Sequence, residues 1–247
     1  MCIQLACNGE NMTMIMCTPG LVNALINVSF RPVQVSDSIE STMEVLRARS
    51  IASRALLNLS WSLENRIPMS ENMALIQLLC QLAVERDPPY QRSRTMQNIM
   101  IQTRQHAVGA LRNIAAASRR SKIALCEFEN GKILDALTDA AVNDNDQRVV
   151  DLAFAAIHNL AIHDTAELIV ERAALVLALK NMTLSEEGDD EANRKSPKSH
   201  AASTLLVLER SITPEMASYE FLRELLDSIE PASTRDDSEK AMQTVEV

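Results

Sequence analysis

Three asparagines recur at one register of a repeated phrase, and their side chains can hold an extended peptide. Asn58, Asn113 and Asn159 each occupy the seventh position of a nine-residue phrase. Asparagine is a mediocre helix former, so its recurrence needs a reason. A carboxamide has donors and an acceptor and can pair with the backbone of a strand-like ligand. The alternative is a helix-end cap that fixes the turn to the next unit, and the two roles are compatible. These residues are called the asparagine ladder below.

Arginines accompany the ladder. Arg49 and Arg104 each lie nine residues before a ladder asparagine, and Arg54 and Arg112 lie close to one. A guanidinium recognises carboxylates and phosphates in a bidentate manner, so these arginines favour an acidic or phosphorylated ligand. The alternative is a solvated, partly salt-bridged face. Trp61, three residues after the first ladder asparagine, is placed either at the lip of the binding groove or under the next short helix.

Nothing in the sequence nominates a catalytic or metal centre. Of the four histidines, His158 and His163 are five residues apart, which is not the spacing of two ligands on one helix face. Glycine-rich phosphate loops and nucleophile or zinc-protease motifs do not occur. We therefore expect no enzymatic activity, no cofactor, no metal and no small-molecule substrate.

The composition indicates a helical, cytoplasmic or nuclear protein. The 247 residues are 47% hydrophobic but only 3% aromatic, with five glycines, which argues against β-sandwiches and barrels. The five cysteines form no Cys-x-x-Cys pair, as expected of reduced thiols. No apolar run reaches the roughly 18 residues that a membrane span needs. The net charge is −9, yet 88–126 holds seven basic residues and no acidic one, which predicts a positive patch.

The ladder belongs to an internal repeat. The phrase reads A-S-R-A-L-L-N-L-S at 52–60, A-V-G-A-L-R-N-I-A at 107–115 and A-F-A-A-I-H-N-L-A at 153–161, with a weaker copy at 201–209. Its apolar residues recur at i, i+3, i+4 and i+7, the stripe of an amphipathic helix. Each strong copy is followed by one shorter helical phrase and then by another. No such unit can bury its stripe alone, so the units must stack.

The order of these phrases resembles the armadillo repeat. That resemblance implies a right-handed α-solenoid of three-helix units, in which the long third helix and its asparagine line a concave groove. In the nuclear-import adaptors of the family, a tryptophan typically lies four residues before the asparagine. Arg54, Gly109 and Ala155 stand there instead, which argues against a reader of basic import signals.

The resemblance also predicts the organisation of the chain. We expect a truncated gene model or fragment, because the sequence opens inside a repeat; the alternative is that something else covers that end of the array. The predicted segments are a partial N-terminal repeat at 1–30, a polar insert at 31–46, a repeat at 47–86, a basic insert at 87–102, repeats at 103–146 and 147–184, a disordered charged loop at 185–199, a degenerate repeat at 200–231 and a disordered tail at 232–247.

The expected function is a non-catalytic scaffold that binds extended segments of partner proteins through the ladder and its arginines. The alternative is a regulator of another enzyme, such as a small-GTPase or chaperone nucleotide-exchange factor. An RNA binder is disfavoured because Tyr90 is the only aromatic residue between Trp61 and Phe128, and single-strand readers stack bases on aromatics.

Overall fold

Helices account for nearly all of the chain that the structure describes. The computed structural model describes residues 9–31, 38–86, 93–185 and 196–211. Within these ranges the helices are α1 (Gly9–Cys17), α2 (Leu21–Phe30), α3 (Ile39–Ser60), α4 (Leu63–Glu71), α5 (Met73–Val84), α6 (Arg94–Ala115), α7 (Arg119–Glu127), α8 (Lys132–Asn143), α9 (Gln147–Leu160), α10 (Ala166–Val170), α11 (Ala173–Leu184) and α12 (Pro197–Ser211). Short 3₁₀ turns, Phe128–Asn130 and His163–Thr165, precede α8 and α10.

The two long helices begin inside segments that the sequence analysis treats as inserts. Helix α3 begins at Ile39, because the hydroxyl of Ser38 accepts a hydrogen bond from the Ser41 amide at 3.1 Å. Ser93 caps α6 in the same way, within the predicted insert at 87–102. About half of each predicted insert is therefore the first part of an amphipathic helix, whose apolar side chains Leu46, Met96 and Met100 are buried together.

The predicted apolar stripe is the core of the array. The stripe residues of the three strong copies are buried in every case, and those of the weak copy are buried too. Leu56, Leu111 and Ile157 lie at equivalent positions and are fully inaccessible to solvent. Alanines at two of the four stripe positions let neighbouring helices approach closely. Burial of these stripes requires each helix to pack on its equivalent in the next unit.

The helices stack in three rows. The long helices α3, α6, α9 and α12 pack side by side in that order, and α2, α5, α8 and α11 do the same. The short helices α1, α4 and α7 form the third row, which α10 continues. The described residues are therefore an all-α array in which three-helix groups follow one another, α1–α3, α4–α6, α7–α9 and α10–α12. We call α3, α6, α9 and α12 the third helices.

Several predicted segments fall outside the described residues. They are 1–8, most of the loop at 185–199, the end of the degenerate repeat and the tail at 232–247. Within that loop, Ser196 accepts a hydrogen bond from the Ser199 amide at 3.1 Å, at the start of α12. No single described helix is long and apolar enough to cross a membrane; α4 and α5 meet that criterion only together, with a 94° bend between them.

Candidate functional site

Exposed side chains lie on α3 and at the start of α9, on the side away from the buried stripe. On α3, Arg47, Arg54 and Trp61 follow at seven-residue intervals and are exposed, with Trp61 at 57%. Seven residues are about two helical turns, so the three side chains share one face, away from the buried stripe. Arg148 on α9 is exposed at the register of Arg47, eleven residues before the ladder asparagine. We call this side of α3, α6, α9 and α12 the third-helix face.

The ladder asparagines join neighbouring third helices. Asn113 is only 3% exposed, and its Nδ2 donates to the hydroxyl of Ser60 at 2.9 Å. Asn159 is half-buried, and its Nδ2 donates to the carbonyl oxygen of Arg112 at 3.0 Å. Asn58 is half-buried and is also engaged in an interaction. Asn113 and Asn159 therefore join their units to the preceding third helix, and ligand contact by Asn58 and Asn159 stays a prediction.

The arginines nine residues before the ladder clamp successive units. Arg104 of α6 is 11% exposed, and its Nε lies 2.6 Å from Oδ2 of the fully buried Asp144 in the next unit. A second guanidinium nitrogen donates to the carbonyl oxygen of Glu85, at the end of α5, at 3.3 Å. Arg104 thus contacts its own unit and the following one at once.

Arg49 of α3 repeats this arrangement one unit earlier. It donates to the carbonyl oxygen of Arg31 at the end of α2, at 2.6 Å, and pairs with the Glu85 carboxylate at 2.5 Å. Both arginines are therefore used within the fold, and we correct the expectation that they face a ligand.

The other predicted ligand residues are accessible. Arg54 forms no ion pair with any described residue, and Trp61 lies in solvent at the end of α3, so its exposure favours the groove-lip placement. Burial, followed by the charges of Arg54 and Arg148, lowers the pKa of His106 to about 4. Arg54 and Arg148 thus place positive charge near His106, whose Nδ1 lies 3.4 Å from the Ser53 hydroxyl. Arg112 is half-buried at the end of α6.

Two groups of basic residues were not predicted as site residues from the sequence. The repeat register could have identified Arg47 and Arg148 as equivalent residues, since both lie eleven residues before a ladder asparagine. Arg66 carries no such signal, because it belongs to the short helix α4, and Lys122 of α7 was recognised only as part of the basic stretch 88–126. Only the packing of those helices brings them near the third helices. Within the described ranges, no group of three or more His, Cys, Asp or Glu side chains is arranged to hold a metal ion.

Comparisons with known proteins bear on the fold. No protein-family model matches this sequence, and no curated protein matches it. Among solved structures, an engineered protein crystallised by the Northeast Structural Genomics Consortium has a TM-score of 0.59 at 18% sequence identity, over 98% of this chain and 86% of that chain. A second engineered protein from the same consortium has a TM-score of 0.43 at 14% identity, over 100% of this chain and 73% of that chain. The chain is therefore an all-helical repeat protein whose stacked helices are similar to those of the first engineered protein.

Proposed function

We propose that this protein is an armadillo-type, right-handed solenoid whose third-helix face binds an extended, acidic segment of a partner protein without catalysing a reaction. The observation that carries the proposal is the set of exposed, unpaired basic side chains on α3 and α9. Arg47, Arg54 and Arg148 lie on this face, exposed, and none forms an ion pair with a described residue. Such unneutralised charge attracts a ligand of opposite sign.

The spacing of the helices suits an extended ligand. Packed helices lie about 8–10 Å apart, and a strand advances about 3.3 Å per residue. A strand laid across the row therefore meets a new third helix about every third residue. Side chains of one register, such as Arg47 and Arg148, would then contact residues at fixed separations along the ligand.

Trp61 supplies apolar contact at one end of this face. Large exposed aromatic side chains are enriched among residues that dominate binding energy. Asn58 and Asn159, which are half-buried, lie close enough to the surface for their carboxamides to contact a ligand backbone. Asn113, at 3% exposure, is left out of the proposed ligand contacts.

A displayed library of random linear peptides tests this proposal. We expect enrichment of acidic peptides, and we expect Arg54→Glu and Arg148→Glu to weaken the selected peptides by about tenfold or more. Fluorescence anisotropy measures the affinities, and circular dichroism verifies that each variant folds. Arg86→Glu is the matched control, because Arg86 joins α5 to Asp139 of α8, outside the third helices. Equal affinity of all three variants for the selected peptides would refute the assignment of this face.

A further inference from the structure

Four nitrogen-bearing side chains gather where the ends of α6 and α9 meet α7 and α12. His158, in the last turn of α9, and His200, near the start of α12, have ring centroids 5.2 Å apart. The backbone of Arg112 is held against α9, because its carbonyl accepts the hydrogen bond from Asn159, the residue after His158. Lys122, on α7, is close enough for its charge to act on His158.

These groups lack the partners that such groups normally have. Neither Arg112 nor Lys122 forms an ion pair with a residue of the described ranges. Nδ1 of His158 is buried and has no hydrogen-bond partner there. Buried polar atoms are nearly always hydrogen-bonded, so an orphan in a native fold calls for an explanation.

The electrostatics of the cluster are unbalanced toward positive charge. Burial, and then the charge of Lys122, lowers the pKa of His158. Burial, and then the charges of His158 and Arg112, lowers the pKa of His200, while Asp151 of α9 acts in the opposite direction. Asp151 is the one carboxylate that acts on the histidine pair among the described residues. Both imidazoles are therefore neutral near neutral pH and offer an N–H donor. Burial also lowers the pKa of Lys122.

The charge around Arg112 extends further. Burial and the charge of Arg112 lower the pKa of Arg66, whose guanidinium donates to the carbonyl oxygens of Ser60 and Trp61 at 3.2 and 3.3 Å. An anion at this place would relieve the repulsion between the two guanidinium groups.

Lys122 also borders an open cleft. The cleft has a volume of about 380 Å³ and lies between the start of α7 and the 3₁₀ turn before α10. Its one carboxylate, Asp164, is neutralised by a bidentate pair with Arg119. An anion that binds in this cleft beside Lys122 is therefore not repelled by an unpaired carboxylate of the cleft lining.

We infer that Arg112, Lys122, His158 and His200 form a subsite for the phosphate monoester of a phosphorylated partner segment, an inference that rests on the proposed binding function. A phosphate monoester carries close to two charges and three strong acceptor oxygens. This charge and these acceptors match the four donor groups, which are one guanidinium, one ammonium and two imidazoles on four different helices. A single carboxylate has two acceptor oxygens and one charge, and would leave part of this donor set unused.

Three probes distinguish the sources of the anion. They are a short Gly-Ser peptide with one phosphoserine, its unphosphorylated form, and inorganic phosphate. NMR spectra of the four histidines follow His158 and His200, assigned through His158→Gln and His200→Gln. We expect the phosphopeptide to raise the pKa of both histidines, because a nearby anion favours the charged imidazolium. The unphosphorylated peptide leaves both values unchanged.

Charge-removing variants locate the site. Arg112→Gln and Lys122→Gln should each weaken the phosphopeptide by about tenfold, because each removes a charge-assisted hydrogen bond. Arg120→Gln is the matched control: Arg120 is exposed on the same helix, two residues before Lys122, and pairs with no described residue. It should leave the affinity unchanged.

Three results overturn the inference. One is equal weakening by Lys122→Gln and Arg120→Gln, which would indicate a diffuse charge effect. Another is equal binding of the two peptides. The third is a shift of the histidine pKa values by inorganic phosphate without phosphopeptide binding, which would indicate a site for free phosphate. Because these probes carry no partner sequence, their result is independent of the library test, and either proposal can fail alone.

Discussion

The Arg104–Asp144 pair allows a quantitative test of how the units are joined. Arg104→Met keeps most of the aliphatic stem and removes the guanidinium. The Asp144 side chain, 0% exposed, then retains only the amide of Asp146, which donates to Oδ1 at 2.9 Å. Breaking a buried pair by removing one partner costs about 3–5 kcal/mol. We expect a loss near the lower end, about 3 kcal/mol, because that amide contact survives.

Urea unfolding followed by circular dichroism measures this loss. The matched control is Arg86→Met, since the Arg86–Asp139 pair is about as short, 2.5 Å against 2.6 Å, but its side chains are 38% and 30% exposed. Exposed pairs contribute about 0–1 kcal/mol. The double variant Arg104→Met/Asp144→Asn should recover most of the loss, because it no longer buries a lone charge. Equal losses for Arg104→Met and Arg86→Met would refute the reasoning from burial.

Four further outcomes follow from the geometry. Asn113→Ala should lower the free energy of unfolding by about 1–2 kcal/mol in urea titrations, because the buried hydrogen bond of its side-chain amide is lost. Unchanged stability together with a loss of peptide binding would instead indicate that Asn113 contacts the ligand. Gly131→Ala should cost about 2 kcal/mol in thermal unfolding, since φ is +87° and a Cβ would lie 1.5 Å from the Arg172 guanidinium. Gly20 has φ +76° and nothing within 4 Å of an added Cβ. Gly20→Ala should therefore lower the free energy of unfolding by only about 1 kcal/mol, the cost of a left-handed backbone conformation for alanine. The His106 side chain takes up a proton near pH 6.5 in the unfolded chain but only near pH 4 in the folded protein. The free energy of unfolding should therefore decrease as the pH falls from about 6.5 to about 4. His106→Gln should flatten that decrease.

The repeat and its core were predictable because they depend on local periodicity. The stripe around Leu56, Leu111 and Ile157 is read from i, i+3, i+4 spacing alone, and all three side chains are fully buried. The starts of α3 and α6 were harder to place. Polar residues before the stripe resemble an insert, but Ser38 and Ser93 cap helices there, and Leu46, Met96 and Met100 are buried.

The candidate site was less predictable because its electrostatics depend on contacts between units. Arg49, Arg54 and Arg104 look alike in sequence, yet Arg49 and Arg104 meet carboxylates about 40 residues away in the chain and Arg54 meets none. Only three-dimensional packing decides which arginine is neutralised. The same holds for the histidine pair, His158 and His200, whose separation in sequence carries no signal of their contact.

The arginine clamps imply an uneven flexibility along the array. Glu85 takes part in both, since its carboxylate accepts from Arg49 and its carbonyl oxygen accepts from Arg104, so the first two junctions share one residue. At the corresponding position before Asn159 the sequence has Val150, which has no charge to bridge the next junction. Bending should therefore concentrate between α9 and α12, where His158 meets His200. A partner that binds at this end should change the curvature of the array there, while the segment from α3 to α9 moves as one rigid unit.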